Sequence, residues 1–189
     1  MFIGIIGLKG SGKTTVATYL TGKYQFTNKS FADPLKKACK ELFLFDDDQL
    51  NGTLEQKETS DPRWFGCSPR KAMQYVGTEL LRDQLDLIMP GLGKNMFTHH
   101  FRLWFHDNQG INIVLSDVRF QNELDMIHEL GGIVIKIQRD QMVSFDPHSS
   151  EEGQKSITNY DYLICNDSTL DDLFVCVDRI IDELYNKFH

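Results

Sequence analysis

The chain has 189 residues, 41% hydrophobic and 25% charged, with 27 acidic against 20 basic side chains and a formal net charge of −7. That length and composition suit one globular core and exclude a disordered or fibrous chain, while the acidic balance excludes a surface built to grip a nucleic-acid backbone. No apolar run reaches the ~18 residues of a membrane span, and the amino terminus opens on a strand pattern instead of a signal peptide, so a soluble, cytoplasmic protein is expected.

Residues 2–6, "FIGII", read as a buried strand. A helix follows over 13–21, with Val16, Ala17 and Leu20 inward and Gly22 ending it. The stretch 24–31 holds at most one short strand. "DPLKKACKELFLF" then opens a helix with Asp33 as N-cap and Pro34 at the first helical position. Residues 45–68 are polar, acidic and without period, a long irregular excursion of the kind that carries function. Ser68-Pro69 restarts a helix through "RKAMQYVGTELLRDQ". After residues 90–95 an aromatic helix carries Phe97, Phe101, Trp104 and Phe105. "INIVLSD" (111–117) is a second buried strand, 120–130 a helix ending at Gly131-Gly132, and 133–138 a third strand. A second polar stretch spans 139–160. Residues 161–166 form a fourth strand, and Ser168 caps a last helix with Leu173, Val177, Ile180 and Leu184 inward.

Apolar strands alternating with helices predict an α/β fold, a three-layer sandwich around a central parallel sheet. The expectation is one domain over 1–189, with polar insertions at about 45–68 on the substrate side and 139–160 as a lid. Cys39, Cys67, Cys165 and Cys176 form no C-x-x-C pair, and with three of them in apolar patterns, buried reduced thiols are expected.

The chemistry begins at "GLKGSGKTT", residues 7–15. Gly7-x-x-x-x-Gly12-Lys13-Thr14 fits the P-loop pattern, with a strand before it and a helix after it, and so predicts the P-loop NTPase class of fold. Glycines let successive N–H groups turn toward an anion, and the helix start adds partial positive charge. Gly10, Ser11, Gly12, Lys13, Thr14 and Thr15 are therefore the candidate ATP cradle. Lys13 reaches the β- and γ-phosphates, and the Thr14 hydroxyl is the candidate Mg²⁺ ligand. The guanine signature N-K-x-D is missing, because Asn28-Lys29 is followed by Ser30-Phe31. A switch GTPase is thereby disfavoured.

An alcohol acceptor calls for a base, and Asp33 could serve. A nucleoside monophosphate needs no base, since its attacking oxygen is already ionised, but its charge must be neutralised by arginines. Arg63, Arg70, Arg82, Arg119 and Arg139 all lie in or beside irregular segments or at strand ends.

"SFADPLKKA", "SPRKAMQYVGTELLRD", "SDVRFQNELDMIHELGGIVIKIQR", "PHSSEEG" and "YLICNDSTLDDLF" follow the P-loop in that order. Together they resemble the deoxynucleoside monophosphate (dNMP) kinases of bacteriophages and other large DNA viruses. The resemblance implies γ-phosphoryl transfer from ATP to a dNMP with Mg²⁺, on a nucleoside monophosphate kinase-like fold. It also implies a homodimer and work in the host cytoplasm. By position, Leu35 and Lys36 would line the monophosphate site, and Arg63, Arg70 and Lys71 would hold the acceptor phosphate. Gly77 and Thr78 would approach the nucleotide, and Asp117, Arg119 and Glu123 would contact substrate. Ser150 would lie over the base, and Arg139 falls to the ATP side. Lys13, Arg70 and Arg119 are the candidate catalytic groups. Related enzymes often carry Lys-Asp where this chain has Lys13-Thr14, and the threonine is the better Mg²⁺ ligand.

From the residues alone, Asp117 equally suits a role near Mg²⁺ or a helix N-cap, and Gly77 close helix packing. His99-His100 point ~100° apart on a helix and lack a third metal ligand. The aromatic stripe reads as core or dimer contact, and Asp46-Asp47-Asp48 as a solvated turn. Two rival functions stand beside the first: a P-loop kinase of another small acceptor (phosphomevalonate or a hydroxyl compound), and a non-catalytic nucleotide-binding module.

Overall fold

The computed structural model describes residues 1–139 and 157–188. Along the chain run β1 (Phe2–Ile6), α1 (Lys13–Tyr24), β2 (Thr27–Lys29), α2 (Asp33–Phe43), α3 (Asp47–Asn51), α4 (Leu54–Glu58), α5 (Pro69–Tyr75), α6 (Met96–Asp107), β3 (Ile113–Leu115), α7 (Gln121–Glu129), β4 (Ile133–Gln138), β5 (Tyr162–Cys165) and α8 (Leu170–Phe188). They divide into two compact units: Met1–Ser30 with Asn108–His189, and Phe31–Asp107. The excursion expected at 45–68 is thus part of a larger unit with its own core.

The first unit is built on a five-stranded sheet in the order β2-β3-β1-β4-β5, with every pairing parallel. Side chains alternate across a strand, so β1 serves two faces. Ile3 and Ile5 join Val16, Ala17 and Leu20 of α1 and Leu173, Val177, Ile181 and Leu184 of α8 in one buried cluster. Gly4 points the other way, where an added Cβ would strike Ile127 of α7 and Val118. Helices on both faces give the expected three layers. Because all five strands run parallel, their carboxyl ends lie along one edge, the edge where open α/β sheets bind ligands.

The second unit packs α2 and α4 against α5. Its buried apolar residues include Leu35, Cys39, Phe45, Leu50, Phe97 and Phe101. Phe101 lies 5.7 Å from Phe31 and 5.6 Å from Trp104, ring centre to ring centre; of the aromatic stripe of α6, Phe97 and Phe101 are core, while Trp104 and Phe105 are half-buried.

Several local expectations are corrected. Helix α1 runs through Gly22 and stops at Gln25, whose φ of 58° is left-handed. Ala32, not Asp33, is the N-cap of α2; Asp33 occupies the first turn, where its charge suits the helix dipole. The segment 45–68 is not irregular, since α3 and α4 each open on a capping box, Asp46 with Gln49 and Thr53 with Gln56. Asp46-Asp47-Asp48 is therefore a helix start. The helix from Pro69 turns into a π-helix over Val76–Arg82. Strand β3 is shorter than 111–117. Thr169, not Ser168, caps α8, exchanging hydrogen bonds with Asp172 at 3.2 Å. Of the cysteines only Cys39 is buried, where burial pushes its thiol pKa up, and Cys165 and Cys176 are exposed.

Candidate active site

The P-loop leaves β1 at the carboxyl edge. Gly12 is the N-cap of α1 at φ 110°, a region closed to most side chains, and no side chain caps the helix. The first N–H groups of α1 are thus left for an anion. An added Cβ on Gly12 would sit 2.7 Å from Asn166 Nδ2. Asn166, just past β5, donates to the Ser11 carbonyl at 2.8 Å and so braces the loop. Ser11 is 1% exposed, yet its hydroxyl oxygen has no hydrogen-bond partner. Lys13 Nζ reaches back to the carbonyls of Gly7 and, at 2.9 Å, Leu8. A glycine cradle, an uncapped helix start, an orphaned buried hydroxyl and a lysine fit a nucleotide's phosphates. Thr14 is exposed and Thr15 half-buried on the first turn of α1. Beside them opens a cavity of ≈ 630 Å³ whose walls include Thr18, Tyr19 and Phe174, the two rings stacked 3.9 Å apart.

Asp117 and Arg119 follow β3, the strand next to β1. The Asp117 carboxylate accepts from the Ser30 hydroxyl. Glu123 is 3% exposed and accepts from the backbone N–H of Arg119 at 2.7 Å and of Phe120 at 3.1 Å. Its carboxylate therefore shapes the turn that carries Arg119 and starts α7. Arg139 follows β4 and is exposed at the same sheet edge. Ser150 lies outside the described residues, as does most of the expected lid. Among the described residues no cluster of metal-ligating side chains occurs.

In the second unit, Leu35 and Lys36 of α2 and Arg70 of α5 come from packed helices. Lys36 Nζ donates to Asn51 Oδ1 at 2.9 Å, and Arg70 Nε lies 3.7 Å from Glu58 Oε1. A Cβ on Gly77 would fall 2.7 Å from Leu35 Cδ2, so the structure brings these two expected site residues together and gives Gly77 a packing reason as well. Thr78 is half-buried beside it in the π-helix, and Lys71 is exposed. π-helical turns recur at functional sites. Gln74, one turn after Arg70, has a buried Nε2 with no partner. In the sequence its one signal is its place in the stretch "SPRKAMQYVGTELLRD".

Arg63 is engaged otherwise than expected. Its guanidinium donates to Asp61 from Nε at 3.0 Å and Nη2 at 2.6 Å, to Gln49 Oε1 at 3.2 Å and to the Leu44 carbonyl at 3.4 Å. Asp61 is 5% exposed and also accepts from Gln49 Nε2 at 2.8 Å. The Arg63 hydrogen bonds, with that of Gln49, hold the Asp61 carboxyl well below the usual carboxylate range. The charge of Arg63 is spent on fastening its own loop.

The family model of deoxynucleotide monophosphate kinases matches residues 53–177. The chain belongs to that family. It is a phosphotransferase that phosphorylates deoxynucleoside monophosphates, and kinase chemistry makes ATP the donor. Over 186 residues this dNMP kinase is 58% identical to a protein of Acanthamoeba polyphaga mimivirus provisionally named a deoxynucleotide monophosphate kinase, covering 96% of each chain. It is 29% identical over 150 residues to the deoxynucleotide monophosphate kinase of Enterobacteria phage T4, covering 74% of this chain and 58% of that protein. The fold is that of the P-loop kinases. Dephospho-CoA kinase from Campylobacter jejuni superposes with a TM-score of 0.53 at 15% identity, covering 100% of this chain and 98% of that one. Family membership decides against the phosphomevalonate, hydroxyl-kinase and non-catalytic readings. No described helix of this dNMP kinase is long and apolar enough to cross a membrane.

Proposed function

We propose that the P-loop residues Gly10 to Thr15 and Arg139 hold ATP, that Thr14 ligates Mg²⁺, and that Leu35, Lys36, Arg70, Lys71, Gly77 and Thr78 receive the dNMP, with Asp117 and Arg119 contacting substrate. Glu123 acts through the backbone it binds. The observation that carries the donor half is the uncapped start of α1 behind a glycine loop whose buried Ser11 hydroxyl lacks a partner. Mg²⁺, when bound, would neutralise charge on the transferring phosphates. Asp117 is a candidate to hold it through water.

The acceptor oxygen is ionised, so the protein's task is positioning and charge neutralisation. Lys13 would draw charge from the β- and γ-phosphates as the bond to the leaving oxygen lengthens. Arg70 and Arg119 would offset the repulsion between the acceptor phosphate and the γ-phosphate. Transfer needs the two phosphates in line, and no covalent enzyme intermediate is required. The protein would act in the cytoplasm as a homodimer. Leu42, Leu44 and Phe65, large apolar side chains left in solvent, support the second copy, and light scattering on the purified protein tests it.

The deciding assay couples ADP release to a panel of dNMPs, NMPs and phosphomevalonate with ATP and Mg²⁺. ADP release dependent on a dNMP is expected. Release with phosphomevalonate alone, or with no acceptor at all, would overturn the reading. Asp33→Asn should leave turnover largely intact, because a monophosphate acceptor needs no base.

A further inference from the structure

Gln74 stands near the end of α5, and nothing above gives it a role. Its side-chain Nε2 is buried and meets no hydrogen-bond acceptor among the described residues. A carboxamide nitrogen carries two N–H donors, and sealing them from water without an acceptor works against folding. Buried polar atoms nearly always find a partner, so an orphan on a packed helix needs a reason. Its place in the fold supplies one. Arg70, Gln74 and Thr78 follow at four-residue spacing along α5 and the π-helix that continues it, which brings their side chains to one face. Gly77 belongs to the same stretch, and an added Cβ there would lie 2.7 Å from Leu35 Cδ2 on α2. Gln74 thus sits among Leu35, Arg70, Gly77 and Thr78, the residues that receive the dNMP in the reading above.

We propose that Gln74 is a specificity-determining residue for the acceptor, its amide Nε2 donating to a ring carbonyl oxygen of the dNMP base. The inference rests on the reading of Arg70, Gly77 and Thr78 given above. The unmet group is a donor, so the ligand atom has to be an acceptor. The amide is also neutral. Arg70, one turn earlier, supplies the positive charge that a phosphate needs, which leaves Gln74 to an uncharged oxygen. Four residues of helix advance about 6 Å, the span of the sugar that separates a nucleotide's phosphate from its base. Gln74 as a whole is half-buried, so an entering base reaches its side chain from the open side. Rotation about the last, soft torsion of the side chain then turns Nε2 toward that base. A carbonyl at position 4 of a pyrimidine or position 6 of a purine satisfies the orphan. An amino group at the same position sets donor against donor and leaves the buried amide unpaired, the situation in which a site discriminates most strongly.

The test measures kcat/KM at saturating ATP for two pairs of acceptors, dUMP with dCMP and deoxyinosine monophosphate with dAMP. The members of each pair differ in carrying a carbonyl or an amino group at that position. The wild type should favour the carbonyl member of both pairs by about tenfold or more, and Gln74→Met should bring both ratios close to one. The ATP KM of the variant should stay within about twofold of the parent's. Ratios in Gln74→Met that match those of the wild type within about twofold would overturn the inference. So would an equal loss on both members of each pair, which marks a merely structural residue. The wild-type ratios need no variant: values near one refute the inference even if Gln74→Met cannot be folded. A wild type that phosphorylates no dNMP at all would instead sink the kinase reading, and the inference with it.

Discussion

Asn166 Nδ2 donates a hydrogen bond to the Ser11 carbonyl at 2.8 Å, tying the residue that follows β5 to the loop that follows β1. The same amide lies where a Cβ on Gly12 would go, so loop and brace fit only with glycine at that position. Removing the brace frees the loop to choose among backbone states that do not aim its N–H groups at phosphate. Asn166→Ala should raise the ATP KM by about fivefold, from the loss of one hydrogen bond worth about 1 kcal/mol, with the dNMP KM unchanged. Initial rates with each substrate varied in turn measure both. An equal rise in the two constants would show that Asn166 does not act through the P-loop.

Arg70 stands on the first turn of α5, its side chain 18% exposed and its Nε 3.7 Å from Glu58 Oε1. Arg70→Ala should raise the dNMP KM by about tenfold or more and lower kcat, because the charge it offsets is greatest when the two phosphates are in line. ATP binding, followed by fluorescence of a labelled analogue, should change little. Equal loss of ATP affinity would contradict the assignment.

Gly77 and Leu35 set the spacing between the π-helix and α2. An added Cβ at Gly77 would come within 2.7 Å of Leu35 Cδ2, and Leu35 is only 9% exposed, so the leucine has to shift inside a packed unit. Overpacking of this kind costs about 1–3 kcal/mol, against the ~1 kcal/mol that alanine gains over glycine in a helix. Gly77→Ala should therefore lower the melting temperature. Leu35→Ala, which costs about 2–5 kcal/mol in the parent, should cost less in the Gly77→Ala background, where the cavity is partly filled. A double-mutant cycle on thermal melts reads this coupling, and additive effects would show that the two side chains do not meet.

What the sequence disclosed depended on how much apolar surface each element buries. The runs "FIGII" and "IVIKIQ" are buried on both faces and read as strands at once, and the P-loop announces itself through residue types that no other role requires together. Helices α3 and α4 escaped because they bury almost nothing: Leu50 is the one buried residue of α3, and α4 has none. A periodicity search has no signal there. The capping pairs Asp46-x-x-Gln49 and Thr53-x-x-Gln56 were written in the chain but carry little weight without an apolar stripe behind them. Gly22 misled for the opposite reason. With open space around it, it breaks nothing, and the helix continues two residues further on the burial of Leu20. On the site, residue types marked Arg63 and Arg70 alike, and only the fold shows that Arg63 meets Asp61 two residues before it in a turn.

The Asp61 carboxylate should govern how the second unit answers to acid. It is buried and receives hydrogen bonds from Arg63 and Gln49, and with them ties the end of α2, the start of α3 and the turn over Pro62–Trp64 into one corner, where Trp64 Nε1 also donates to the Phe43 carbonyl at 2.7 Å. The folded-state pKa of Asp61 lies below its ordinary value, chiefly through the Arg63 hydrogen bonds. A carboxylate so depressed contributes stability that is fully present above its unfolded pKa, about 3.9, and is lost as pH falls toward the folded value. Asp61→Asn should therefore melt at a lower temperature than the parent at pH 7, and the gap should hold steady down to about pH 5 and narrow below about pH 4. Thermal melts across that range check it. A gap that persists undiminished into strong acid would mean that the charge of Asp61 contributes nothing and that its shape alone holds the corner.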